Sequence, residues 1–233
     1  MRDLLTPPRR RGVEILDLPD VDPAIVTRSL ADVKRANSLF GGLRSALSEI
    51  RAALHSLPSK ATLLDVGTGL GDIPRRARAV AQDRGIELTT IGVDAALELA
   101  FASCESLNLS VCADALHLPF ADASIDIVMC SQVLHHFREA DALTLLREMN
   151  RVARTRVIVS DLRRSWIAAA GLWILSFPLR FHAVSRHDGV VSVMRGFTPG
   201  ELSNTVERAV ACRPRARRQL GFRVTTSWAP VRR

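Results

Sequence analysis

The run Leu63-Leu64-Asp65-Val66-Gly67-Thr68-Gly69-Leu70-Gly71-Asp72 constrains the fold more than any other part of the chain. An apolar strand leads straight into three alternating glycines at the mouth of an amphipathic stretch, residues 73–84. Only glycine lets a backbone turn this tightly and come this close to a bound ligand. A strand, a glycine turn and a helix form the opening unit of a parallel α/β sheet. The strict alternation D-x-G-x-G-x-G also differs from the G-x-G-x-x-G spacing of nicotinamide enzymes.

The chain beyond it repeats the same texture. Short apolar runs at residues 62–66, 88–93, 110–112, 125–130 and 156–160 predict five parallel strands, with helical patterns over 73–84, 95–106 and 140–152. Right-handed crossovers then bring the carboxyl ends of these strands to one ligand-binding edge. Upstream, Ile25, Leu30, Val33, Leu39, Leu43, Leu47, Ile50 and Leu54 recur at helical intervals and predict two helices broken near Gly41-Gly42. Residues 1–20, with Pro7, Pro8 and Arg9-Arg10-Arg11, lack apolar periodicity and are expected as a flexible leader.

Downstream, residues 166–177 are almost uninterruptedly apolar but too few to cross a bilayer as a helix, so they read as a core helix or a cover. Thr198-Pro199-Gly200-Glu201 has the form of a capped helix start. Residues 211–219 and 222–229, around Gly221, predict an antiparallel pair at the sheet. One domain over 21–233 results, with 21–58 as N-terminal lid helices and 162–200 as a substrate cover.

The charge of +8 comes from 32 Lys+Arg against 24 Asp+Glu and is nearly all arginine spread along the chain, which reads as a solvated basic surface. With no tyrosine and 5% aromatic residues, few rings remain to stack bases, so nucleic acid is not expected as a partner. Cys104, Cys112, Cys130 and Cys212 form no C-x-x-C pair, so no metal is expected and they read as buried thiols. Charges and prolines interrupt the first twenty residues where an export signal needs an apolar stretch, and the cytoplasm is the expected location.

Three further elements carry chemistry. Asp94, at the tip of the second strand, stands where a carboxylate accepts ribose hydroxyls. After the third strand, Asp114 can accept from an exocyclic amine and Ala115 can donate its amide, which suits a purine; a turn acid is the plainer reading of Asp114. The fourth strand opens into Ser131-Gln132-Val133-Leu134-His135-His136. Histidine is the natural base near neutral pH; with adjacent side chains diverging, at most one of the pair is expected to face the pocket, and a packing histidine that continues the hydrophobic turn is the plainer reading of each.

LDVGTGLGD, GVDAA, ADALHLPFADASIDIVMCSQVLHHF and LLREMNRVAR together resemble the class I S-adenosylmethionine-dependent methyltransferase superfamily, in the branch similar to ubiquinone/menaquinone-biosynthesis methyltransferases, over about residues 60–162. The resemblance implies a Rossmann-like α/β fold whose seven-stranded sheet is mostly parallel with an antiparallel last strand. It implies S-adenosyl-L-methionine as cofactor, with Asp65, Gly67, Thr68, Gly69 and Gly71 around its methionine part, Asp94 and Ala95 at the ribose, Asp114 and Ala115 at adenine, and Ser131 beside the reacting end. Residues 37–42 would then border the cofactor.

Methyl transfer mainly requires holding a nucleophile in line with an electrophilic carbon, so His135 and His136 are the candidate catalytic residues. In the cover, His187, Asp188 and Arg195 are candidates for binding the acceptor, a small molecule whose hydrophobic or phenolic character is suggested by residues 166–177. A peripheral membrane contact is a second reading of that stretch. The alternatives are an RNA or DNA methyltransferase, disfavoured because Ser131-Gln132-Val133-Leu134 stands where an N-P-P-aromatic motif holds a flipped base, and a non-catalytic methyltransferase-like binding protein. The sequence leaves the oligomeric state open.

Overall fold

The computed structural model describes residues 5–18 and 20–232. Among these, one seven-stranded sheet runs in the order β3-β2-β1-β4-β5-β7-β6. Its strands are β1 (Lys60–Val66), β2 (Glu87–Asp94), β3 (Leu109–Cys112), β4 (Ile125–Ser131), β5 (Ala153–Leu162), β6 (Arg217–Gln219) and β7 (Arg223–Trp228). The pairs among the first five are parallel. β7 runs antiparallel to both β5 and β6. All seven residues of β4 are buried, as a strand covered on both faces requires.

The helices are α1 (Pro23–Leu39), α2 (Gly42–Leu54), α3 (Asp72–Gln82), α4 (Leu97–Ser103), α5 (Glu139–Val152), α6 (Trp166–Ser176), α7 (Ala183–Arg195) and α8 (Pro199–Val210). Two apolar clusters fill the two sides of the sheet. One joins Leu145 and Met149 of α5 and Leu202 and Val206 of α8 to Val128 and Val159. The other joins Ile50 of α2 and Ala77 of α3 to Leu63, Ile127 and Ile158. α2 is therefore a sheet-covering helix, and of the two expected lid helices only α1 reaches over the strand tips. At α8, Thr198 accepts from the backbone of Glu201 and the Glu201 side chain returns to the Thr198 amide, the capping box its sequence predicts.

Four differences from the sequence reading have physical causes. Residues 5–18 are no loose leader: Asp188 of α7 accepts from the backbone amides of Ile15 (2.8 Å) and Leu16 (2.9 Å), and Arg9 lies 4.1 Å over the ring of Phe197. Residues 1–4 and 19 of that stretch lie outside the described residues. The cover contains a second helix, α7, which packs on α6 through Val193 and Met194. β6 has only three residues, because Ala211 ends α8 in the left-handed conformation (φ 55°) and irregular chain follows. Of the cysteines only Cys130 is buried; Cys104 and Cys112 are exposed. No described helix is long and apolar enough to cross a membrane.

Candidate functional site

A cavity of about 660 Å³ opens at the carboxyl ends of β1, β2 and β4. Its floor is the glycine loop and its far wall is α6 and α7. Gly67 (φ 71°) and Gly69 (φ 56°) take the left-handed conformation that glycine adopts without strain. A Cβ at Gly67 would come within 2.4 Å of Val133, whereas at Gly69 it would meet nothing within 4 Å. The loop is thus packed beneath and open above. Asp94 holds it in place, its Oδ2 accepting from the Gly69 amide at 3.0 Å and its Oδ1 from the Ala96 amide at 3.1 Å.

Three buried polar atoms of cavity-lining residues have no partner: Asp65 Oδ1, Ser131 Oγ and His135 Nε2. Buried polar groups are ordinarily satisfied, so these three point to hydrogen-bonding atoms that a ligand would supply. Burial, assisted by the charge of Asp94, pushes the Asp65 carboxyl up to about 8 even though Thr68 donates to its Oδ2. A ligand ammonium would return it to the ionised state.

His135 and His136 occupy the short 3₁₀ turn Leu134–His136 beyond β4. The tight turn brings both rings to the cavity, 4.3 Å apart, which corrects the expectation that only one would face it. Asp161, at the end of β5, is buried with Oδ1 2.6 Å from Nδ1 of His135, and it also accepts from the amides of His135 (3.2 Å) and Leu162 (2.6 Å). Burial alone would raise the Asp161 carboxyl, but these partners outweigh it and hold it below the usual range. An ionised carboxylate only accepts, so Nδ1 carries a proton, and in the neutral ring Nε2 offers its lone pair to the cavity.

His136 is tied to the strap of residues 5–18. Its Nδ1 stands 3.4 Å from Asp17 Oδ1 and 4.0 Å from Glu14 Oε2. Burial lowers its pKa, but Asp17, Glu14 and Asp161 together raise it above the ordinary histidine value. Glu14, Leu16 and Asp17 line the cavity as well, so the strap forms part of the site. Residues without helical or strand periodicity gave the sequence no signal for this.

Arg195 does not face the cavity as an acceptor-binding residue. It is 9% exposed and spans Glu14 (2.8 Å), Asp17 (3.0 Å) and the carbonyl of Gly12 (2.6 Å), clamping the strap to α7. His187 turns outward to Asp188, whose carboxylate is already taken by the strap amides. Asp114 is exposed and closes its own turn, accepting from the Leu116 amide (2.9 Å) and contacting His117 (3.0 Å). Neither Asp114, Ala115, Ala95 nor Gly71 lines the cavity, while Asp65, Gly67, Thr68, Gly69, Asp94 and Ser131 do. Asn37 and Phe40, in the segment expected to border the cofactor, line it too.

α6 divides by face. Ile167, Ala168, Gly171, Leu172 and Leu175 line the cavity, and of these Ile167 and Leu175 are also 50% and 46% exposed at its rim. Trp166, Trp173, Ile174 and Phe177 are 44–58% exposed on the outside. The helix carries no charged residue.

The family model of the methyltransferase domain matches residues 64–159. Demethylmenaquinone methyltransferase of Roseiflexus sp. (strain RS-1) is 34% identical over 129 residues, 52% of each chain. The 27-O-demethylrifamycin SV methyltransferase of Amycolatopsis mediterranei (strain S699) is 33% identical over 112 residues, 46% of this chain and 40% of that protein. The chain thus spans about half or less of the length of these curated relatives. In fold, it is similar to a SAM-dependent methyltransferase from Aquifex aeolicus, with a TM-score of 0.60 and 17% identity over 91% of this chain and all of that one.

Proposed function

We propose, for a chain that belongs to the class I S-adenosylmethionine-dependent methyltransferases, that it methylates an oxygen or carbon nucleophile of a small aromatic or hydrophobic molecule of phenolic, polyketide or quinol type, in secondary metabolism or cofactor biosynthesis. The observation that carries this reading is His135 Nε2, a buried, unpartnered ring nitrogen oriented by Asp161 in the wall of an otherwise largely apolar cavity.

The residues at the strand tips fit the cofactor. The orphaned Asp65 Oδ1 and Ser131 Oγ and the open face of Gly69 match an amino-acid moiety bearing an ammonium group. Asp65, Gly67, Thr68 and Gly69 would surround that moiety and Asp94 would meet the ribose, with Ser131 next to the reacting end; Gly71, Ala95, Asp114 and Ala115 lie outside the cavity lining, and an adenine at Asp114 and Ala115 would have to extend past its rim. When bound, S-adenosylmethionine supplies an electrophilic sulfonium methyl group. Asp161 fixes the His135 tautomer and stabilises the imidazolium that forms once Nε2 takes the proton of an acceptor hydroxyl or enol. Leu172 and Phe181 would present apolar surface to the acceptor. The acceptor chemistry in the two relatives' names favours a small organic molecule. The apolar outer face of α6 supports a peripheral membrane contact from which a hydrophobic acceptor would enter.

The test is incubation with S-adenosylmethionine carrying a deuterated methyl group and a panel of phenols and quinols, read by mass spectrometry. A labelled product formed by the wild type and lost in His135→Gln is expected. A product formed equally by both would remove the histidine from the reaction.

A further inference from the structure

Arg223 opens β7 and is 4% exposed, yet it lines the cavity. Its Nε donates to the carbonyl of Phe40 at 3.2 Å and its Nη1 to Oε1 of Gln132 at 2.6 Å, both neutral oxygens. Among the described residues it makes no ion pair, and its Nη2 has no acceptor. The other buried arginines differ: Arg164 reaches Glu201 at 2.7 Å and Arg195 reaches Glu14 at 2.8 Å. A buried charge is costly to leave without a counter-charge. Burial pushes the guanidinium down to about 10 against the opposing pull of Asp161, so it stays charged at neutral pH.

The surroundings form a cradle. Gln132 has φ 58°, an uncommon conformation for a residue with a side chain, and its amide is oriented from both ends: Nε2 donates to Asn37 Oδ1 at 2.6 Å while Oε1 accepts from Arg223. The three side chains converge on the start of α2. A Cβ at Gly42 would lie 3.1 Å from Asn37 Oδ1, 3.1 Å from Gln132 Nε2 and 3.3 Å from Arg223 Nη2. Gly41 offers no side-chain cap there, and a helix start of this kind presents free N–H groups and the positive end of the helix dipole. The turn before β7 is pressed against α1: a Cβ at Gly221 would fall 2.1 Å from the Phe40 carbonyl. That contact holds Arg223 at the tip of β4 rather than in solvent.

We propose that Arg223, with Gln132 and the start of α2, receives a carboxylate carried by a ligand of the cavity. A planar guanidinium with a free edge matches a carboxylate better than a point charge would. The position, between Ser131 at the β4 tip and Phe222 on the acceptor side, leaves two sources: the amino-acid end of the cofactor or an acid group on the acceptor. The inference rests on the proposed reading of the cavity.

The experiment is calorimetric titration of the wild type, Arg223→Gln and Gly42→Ala with S-adenosylhomocysteine, with methylthioadenosine, which lacks the amino-acid end, and with benzoate against benzyl alcohol at saturating S-adenosylhomocysteine. If the cofactor supplies the carboxylate, R223Q weakens S-adenosylhomocysteine at least tenfold and leaves methylthioadenosine unchanged. If the acceptor supplies it, R223Q weakens benzoate at least tenfold and leaves S-adenosylhomocysteine unchanged. G42A, which fills the cradle and keeps the charge, shifts the same ligand in the same direction and serves where R223Q does not fold. Unchanged affinity for both acids in the variants overturns the carboxylate site. Failure of the wild type to bind either nucleoside instead overturns the reading of the cavity.

Discussion

Nδ1 of His135 lies 2.6 Å from Oδ1 of Asp161, and the two side chains are 2% and 0% exposed. The pair joins the turn after β4 to the end of β5 and leaves the other ring nitrogen facing the cavity. Replacing Asp161 by Asn removes the charge that stabilises the imidazolium and sets an amide N–H against either Nδ1 or a backbone amide, so the ring becomes a poorer and less well oriented base. Asp161→Asn and His135→Gln are each expected to reduce turnover by about 10²–10⁴-fold, the usual contribution of a positioned base. Titration should show cofactor affinity within threefold of the wild type. Equal loss of affinity and turnover would assign the pair a structural role.

Asp65 carries a different signature. Burial holds its carboxyl up at about 8, above the ordinary carboxylate range, so the stability it contributes is full below the unfolded value and is lost as pH rises towards 8. Asp65→Asn removes this dependence. The variant should melt higher than the ligand-free wild type at pH 8, by a margin that shrinks towards pH 4, and bind S-adenosylmethionine more weakly. Melting curves that keep the same pH slope in both proteins would refute the assignment.

The strap responds to pH through Asp17 and His136. The hydrogen bond from His136 holds Asp17 down to about 2, and the same contact helps to raise His136. The contribution of Asp17 is present above its unfolded pKa and fades as pH falls towards 2; that of His136 is present below the unfolded histidine value and fades as pH rises through its raised one. Docking is therefore tightest between about pH 4 and 6.5. Trypsin cleavage after Arg9, Arg10 or Arg11 should be slowest there at the acid end trypsin tolerates and accelerate above neutrality, and Asp17→Asn should flatten the profile. A profile unchanged by that substitution would contradict the account.

A residue's role is legible in the sequence when its partners are near in sequence. The Gly67–Gly71 loop, Asp94 and the Thr198 cap were legible because each belongs to a local pattern whose residue types admit few other conformations. Arg195 was misplaced because its partners Glu14 and Asp17 lie 181 and 178 residues away in a segment with no periodicity. Arg223 gave no signal, being one basic residue in a chain with 32. α7 escaped because its buried Ser185, Asp188 and Arg195 obscure an apolar stripe. The two histidines were found, but that both face inward follows from the 3₁₀ turn, which sequence alone did not reveal.

Gly171 lines the cavity from α6, and a Cβ there would meet nothing within 4 Å. Gly171→Ala should stabilise the helix by about 0.5–1 kcal/mol. Gly171→Leu should raise KM for bulky acceptors at least tenfold while cofactor affinity stays unchanged. On the outer face, Trp173→Glu should abolish flotation with anionic phosphatidylglycerol vesicles without altering cofactor binding. Wild-type protein that fails to float would leave the outer face of α6 without a membrane role.

Use of S-adenosylmethionine is tested by calorimetric titration of the wild type and Asp94→Asn with that cofactor. Asp94 braces the Gly69 amide at 3.0 Å and is the residue expected at the ribose. Saturable one-site binding by the wild type is expected, at least tenfold weaker in the variant. No saturable heat from the wild type, or equal affinity in both proteins, would contradict it.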